Sequence, residues 1–274
     1  MTTFDRDAAV AAYLVALKDA QRLAESLTAD EWTLPTDLQG WTVQDNVAHI
    51  VALECELAGH PRPDHEPDWS ALPHVDPANR LQKYMEVPVD VRRGTPPAEL
   101  LRELADIIAE RQQQIDAYPS AADAQVTGPV GWTAPLWRVL TVRVFDIWAH
   151  EQDIRRAVGR RGNLDGAGAE VGEFRLRYGL EYVIGKLVAP PPGTAVRWVV
   201  DGPRSFTSTV VVGEGGRATE SASYEGEPAV TLRTDWENFV LLGCGRASFD
   251  RSRVSVDGDP ALGNRVLEHA AITP

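Results

Sequence analysis

Cysteine is nearly absent from this chain of 274 residues. Cys55 and Cys244, far apart and in no metal-like or redox-like spacing, exclude a disulfide framework, a CxxC motif and a cysteine-built zinc site. Lysine is also scarce, with three against 24 arginines. Forty acidic residues leave a formal charge of −13, which argues against the phosphate-neutralising surface that nucleic-acid binding needs. Residues 195–274 carry only −3 of that charge, so the acidity lies mostly in the first two thirds. No run of about eighteen apolar residues occurs, so no membrane span is expected. The opening Met-Thr-Thr-Phe-Asp-Arg-Asp lacks the basic stretch and apolar core of a secretory signal, and a cytoplasmic protein is expected. There is no G-x-G-x-x-G fingerprint or phosphate loop; Gly213-Glu-Gly-Gly216 lies between strand-like runs and reads as a hairpin turn.

What is present is an ordinary globular composition, 43% hydrophobic and 24% charged, over a length that suits two domains. Helical periodicity predicts helices over residues 5–27, 42–59, 98–117, 134–158 and 167–187. Eight prolines from Pro61 to Pro97 predict a long connection with a short helix near Arg80–Met85, and residues 126–135 read as a loop. Pro190-Pro191-Pro192 reads as a boundary, after which β-rich runs appear at 196–200, 206–212, 218–224, 229–232 and 253–256. Helical runs follow at 235–242 and 260–270. The expectation is an α+β chain of two domains, a helical bundle over 1–189 and a small α+β domain over 195–274.

Within the 134–158 helix, Arg143, Asp146, His150 and Asp153 recur at steps of three, four and three. That spacing places them on one helical face between Val144, Phe145, Ile147 and Trp148. Such a stripe either faces solvent or is buried with a ligand, because an unpaired buried polar group is costly. Asp146 and His150, one turn apart, can offer an oxygen and a nitrogen to the same divalent ion. Upstream, Gly40-Trp41-Thr42-Val43-Gln44-Asp45 reads as a helix start, with Thr42 as N-cap and Asp45 completing a capping box. His49 follows in the second turn, beside Ala48 and Ala52; by itself it reads first as a core histidine hydrogen-bonded to a backbone carbonyl.

Together, G-W-T-V-x-D-x-x-A-H and R-V-F-D-x-W-x-H-x-x-D resemble the motifs of the DinB-like, mycothiol-dependent maleylpyruvate isomerase family. The resemblance implies a DinB-like four-helix bundle followed by a sterol-carrier-like C-terminal domain. It further implies a divalent metal, zinc most often and nickel as the alternative, held by His49, Asp146 and His150. Asp146 stands where glutamate is usual, and Gln44 where arginine is frequent. Mycothiol is the implied thiol cosubstrate, attacking a small electrophile. Arg246, in Cys244-Gly-Arg246, is the implied contact for an anionic substrate, although by itself it reads as a solvated surface residue.

Three protein ligands leave a metal position open, as catalysis requires. A metal-bound thiol then yields either an isomerase or a thiol S-transferase. Two other readings stand beside this one. With water in the open position the protein would be a metal-dependent hydrolase, needing Asp153 or Glu151 as general base. With a structural metal it would be a non-catalytic binding or stress protein. In the first reading Asp153 orients an imidazole or pairs with Arg143. His60, His65, His74 and His269 are expected to be incidental, and Trp132, Trp137 and Trp148 to belong to the core.

Overall fold

The computed structural model describes residues 4–118 and 124–273, which divide into two compact units, one running to Asn163 and the other beginning at Leu164. In the first unit, helix α1 (Arg6–Glu25) starts at Asp5, whose carboxylate accepts from the Ala8 N–H at 2.8 Å. Helix α2 (Val43–Ala58) starts at the predicted capping box. Thr42 Oγ1 accepts from the Asp45 N–H at 3.3 Å, and Asp45 Oδ2 accepts from the Thr42 N–H at 2.8 Å. The helix ends at Gly59, whose φ of 89° forms the left-handed cap that a side chain would strain.

Helix α3 (Arg80–Asp90) extends beyond the short helix expected near Arg80–Met85 and contains Pro88. Proline cannot donate to the Tyr84 carbonyl one turn back, but Arg62 Nη2 does so instead, at 2.5 Å. The same guanidinium stacks 3.4 Å from the centre of the Tyr84 ring. After α3 the chain turns, and Gln44 Nε2 donates to the carbonyls of Arg92, Arg93 and Thr95 at 3.0–3.1 Å. Helix α4 (Pro97–Ala117) has its proline at the first helical position, where no N–H is needed. Strands β1 (Gln125–Thr127) and β2 (Thr133–Pro135) pair as a small antiparallel hairpin where a loop was expected. Three residues are too few for strand alternation to register in a sequence.

Helix α5 (Leu136–Ala157) carries the polar stripe. It packs along α1 and against α2, while α4 packs on α1 and α2, giving the four-helix bundle with α3 laid on α2. Leu17 of α1, Ile50 and Val51 of α2, Leu100 and Leu104 of α4, and Leu140 and Ile147 of α5 are buried between them. Four polar side chains share this interior: Tyr13, Glu54, Arg111 and Arg143, each at most 1% exposed.

The second unit begins with α6 (Ala167–Tyr182), which runs on as a π-helical turn over Val183–Val188. Strands β3 (Ala195–Asp201), β4 (Phe206–Val212), β5 (Ala218–Glu220), β6 (Val230–Asp235) and β7 (Ser255–Gly258) form one sheet in the order β5-β4-β3-β6-β7. The central β3–β6 pair is parallel and the others antiparallel. Helices α7 (Trp236–Gly243) and α8 (Pro260–His269) complete an α+β unit.

The boundary expected at Pro190–Pro192 lies inside this unit, so the compact division differs from the expected 1–189 and 195–274. Helix α6 packs against β4, β5 and α7. Arg177 bridges Glu173 to Glu220 on β5, and the Glu220 N–H donates to Glu181 at 2.9 Å. The prolines end a helix without separating two packed bodies. No helix among the described residues is long and apolar enough to cross a membrane.

Candidate metal centre

His49 on α2 and Asp146 and His150 on α5 converge, with one ligand atom from each lying within 4.8 Å of the others. The convergence follows from the α2–α5 packing and the one-turn spacing of the α5 pair. His49 Nε2 lies 3.4 Å from Asp146 Oδ1 and 3.3 Å from Oδ2, and His150 Nε2 lies 3.7 Å from Oδ1. Ligands about 2.0–2.1 Å from a tetrahedral ion are about 3.4 Å apart, so the donor set and its spacing fit a divalent metal. The imidazoles are buried, 4% and 6% exposed, whereas the Asp146 side chain is 29% exposed. Among the described residues this metal-capable group comprises those three side chains.

The surroundings set the protonation of each member. Burial would raise the Asp146 carboxyl, but Arg143, and after it His49, hold it well below the usual carboxylate range. Burial pushes the His49 imidazole down, partly countered by Asp146. For His150 burial also acts downward, but Asp146 and Asp153 outweigh it and the imidazole is held up.

Asn46 is the residue that sequence reasoning missed. Its Oδ1 lies 2.7 Å from His150 Nδ1, while its Nδ2 donates to the Thr42 carbonyl at 2.8 Å and to Thr36 Oγ1 at 3.2 Å. With the amide oriented that way, His150 Nδ1 carries the proton and Nε2 keeps its lone pair toward Asp146. One turn before His49 on the same helix, Asn46 was within reach of a spacing argument, had its partner on α5 been known. His49 has no such anchor; its Nδ1 is buried with no hydrogen-bond partner among the described residues. Trp41 closes one side, its ring centroid 5.1 Å from that of His49 and 5.7 Å from that of His150. Glu86 fixes the indole by accepting from Nε1 at 2.9 Å.

The other expected site residues lie elsewhere in the network. Asp153 Oδ2 is 3.6 Å from His150 Nδ1, too far for a hydrogen bond, and Asp153 Oδ1 accepts from Arg156 at 2.5 Å. The imidazole is therefore oriented by Asn46, and the partner of Arg143 is not Asp153 but Glu54 and Asp146. Glu151, fully buried, accepts from Arg155 and Asn163. Paired in this way, neither acid stands as a free base beside the centre. Arg246, in the second unit, is 6% exposed, and its Nη1 donates to the Cys244 carbonyl at 2.6 Å. His60, His65 and His74 pair with Glu110, Asp90 and Glu86. Trp148 is buried and donates to the Asn163 carbonyl at 2.8 Å.

Comparison with known proteins gives the same answer as the motifs. Residues 14–155 match the family profile of the mycothiol maleylpyruvate isomerase N-terminal domain, and residues 179–265 that of the MDMPI C-terminal domain. A crystal structure of the mycothiol-dependent maleylpyruvate isomerase is similar over 94% of this chain and 96% of its own, at 16% identity and a TM-score of 0.59. A histidine-to-alanine mutant of that enzyme is similar over the same spans, with a TM-score of 0.58. A crystal structure of Sterol Carrier Protein 2 Like 2 from Aedes aegypti covers 36% of this chain and 94% of its own at 14% identity. Its TM-score of 0.27 is too low for anything to rest on it. No curated protein matches the sequence. The chain belongs to the mycothiol maleylpyruvate isomerase family and carries both of its domains.

Proposed function

We propose that this protein is a divalent-metal-dependent enzyme that uses mycothiol, acting as an isomerase or thiol S-transferase on a small electrophile of the maleylpyruvate kind. The observation that carries the reading is the position of Asp146 Oδ1, 3.4 Å from His49 Nε2 and 3.7 Å from His150 Nε2. His49, Asp146 and His150 would hold a divalent ion with one position open, where it would lower the pKa of a bound thiol. The chain's own residues prepare that site. Asn46 presents the His150 Nε2 lone pair, Arg143 keeps Asp146 ionised, and Trp41 shields both imidazoles from water.

In the isomerase reading, a thiolate adds to the carbon–carbon double bond and rotation follows about the resulting single bond. Expulsion of the same thiolate returns the trans isomer with no net oxidation. An electrophile that keeps the thiol gives the S-transferase outcome from the same centre. The pairing of Asp153 with Arg156 and of Glu151 with Arg155 weighs against hydrolysis, which needs a free base.

Metal analysis of the purified protein and of a His49→Ala, His150→Ala variant tests the reading, followed by a cis–trans assay with maleylpyruvate with and without mycothiol. About one divalent ion per chain is expected in the wild type and none in the variant, with turnover that needs both ion and thiol. A wild-type protein that takes up no ion after reconstitution would overturn the reading.

A further inference from the structure

The two oxygens of Asp146 are not equivalent. His49 Nε2 lies about equally close to both, 3.4 Å from Oδ1 and 3.3 Å from Oδ2, but Oδ1 is the oxygen nearest to His150 Nε2, and Oδ2 is the one that accepts from Arg143 Nη1, at 2.5 Å. Arg143 is 1% exposed and sits three residues before Asp146 on the same face of α5. Its remaining nitrogens are taken by Glu54 on α2: Nε and Nη2 donate to Glu54 Oε1 at 3.0 and 2.8 Å. Glu54 is anchored in turn, its Oε2 accepting from the Tyr13 hydroxyl on α1 and lying 3.4 Å from Arg111 Nε on α4. Arg143 thus cannot turn away from Asp146 without depriving the fully buried Glu54 carboxylate of one of its two guanidiniums, an expensive state.

From this geometry we propose that Arg143 is a positioning residue that reserves Oδ2, so that Asp146 binds the metal through Oδ1 alone and the ion keeps an open position. The inference rests on the metal reading above and adds to it the reason a carboxylate, able to chelate through two oxygens, leaves room for a thiol. A planar guanidinium spans two carboxylates at once; an ammonium group is a single point charge. Glu54 is the support that fixes Arg143, and neither residue touches the ion.

Cobalt(II) titration tests the assignment, because the intensity of the visible bands of the ion reports its coordination number. The proteins compared are the wild type, Arg143→Lys, and Arg143→Met combined with Glu54→Gln, which removes one buried positive and one buried negative charge together. Folding is checked by far-ultraviolet circular dichroism. In the wild type, intense four-coordinate bands are expected. In the variants, freeing Oδ2 should lower the peak intensity roughly twofold or more as the carboxylate chelates and coordination rises. Should the double variant fail to fold, Arg143→Lys alone decides. A folded variant that binds cobalt with the wild-type spectrum would overturn the role of Arg143 while leaving the metal centre intact. A wild type that binds no cobalt would overturn both.

Discussion

Asn46 and His150 meet across the α2–α5 packing at 2.7 Å, an amide oxygen against an imidazole N–H. The contact decides which nitrogen of His150 is available to a ligand. Asn46→Leu removes the acceptor and leaves a buried N–H unpaired, a loss of about 1–3 kcal/mol of stability. Metal affinity should fall roughly 10–100-fold. Asn46→Asp keeps the acceptor and should hold affinity near wild type. Calorimetric zinc titration of the three proteins separates these outcomes.

The buried group around Glu54 predicts a larger effect. Tyr13, Arg111 and Arg143 all converge on that carboxylate. Glu54→Ala leaves two buried guanidiniums without it and should destabilise the protein by about 3–5 kcal/mol in urea unfolding. Glu54→Gln, which retains the shape and an acceptor oxygen, should lose less. Equal losses would mean that shape and the remaining acceptor contribute nothing and that the carboxylate charge carries the whole effect.

Proton competition should govern metal loading. Of the three proposed ligands, His150 is the one held up by its carboxylate neighbours, so it is the last to lose its proton as pH rises. His49 is held down and is already neutral there, and Asp146 is ionised throughout. Zinc affinity should therefore be constant above the His150 value and fall about tenfold per pH unit below it. Proton release on binding, read from titrations in buffers of different ionisation enthalpy, should rise from near zero to about one per ion over the same range. Release that stays at zero through pH 6 would contradict the assignment.

Cys55 should be a poor nucleophile. Burial, with Glu103 adding to it, pushes its thiol up to about 11. At pH 8 this leaves little thiolate, and even with the higher nucleophilicity of a basic thiol, alkylation should run roughly ten- to thirtyfold slower than for an ordinary cysteine. The rate should climb with pH until the thiol ionises near its raised value. Mass spectrometry of iodoacetamide-treated native and unfolded protein gives the comparison.

The unit boundary can be tested by dissection. A fragment from Leu164 to the C-terminus retains α6 and its Arg177–Glu220 bridge and should give a dispersed amide NMR spectrum. A fragment beginning at Pro190 exposes the surfaces of β4, β5 and α7 that α6 covers, and should not. Two equally dispersed spectra would restore the triproline as the boundary.

These contrasts show where sequence carries information and where it stops. The Thr42–Asp45 capping box and the Asp146/His150 spacing are local, within one helix, and were legible together with His49. The site's supports were not. Tyr13, Glu54, Arg111 and Arg143 lie on four different helices, and nothing in their spacing announces that they meet. Asp153 looked like the partner of His150 because it is three residues away, yet the residue in contact comes from α2. The helix expected near Arg80–Met85 runs on through Pro88, because a side chain from the preceding loop, Arg62, donates to the carbonyl that the proline cannot reach. The triproline marked the end of a helix without revealing which unit that helix packs on.

The buried network also fixes the electrical balance of the centre. Asp146 and Glu54 supply two negative charges, Arg143 and Arg111 two positive ones, and the imidazoles add none when they bind a metal. The protein scaffold is therefore neutral at this spot, and a divalent ion held there would leave both of its positive charges for exchangeable ligands to cancel. Under the proposed function, anions would be favoured there over neutral molecules: a thiolate would satisfy half of the demand, and an electrophile bearing a carboxylate the rest.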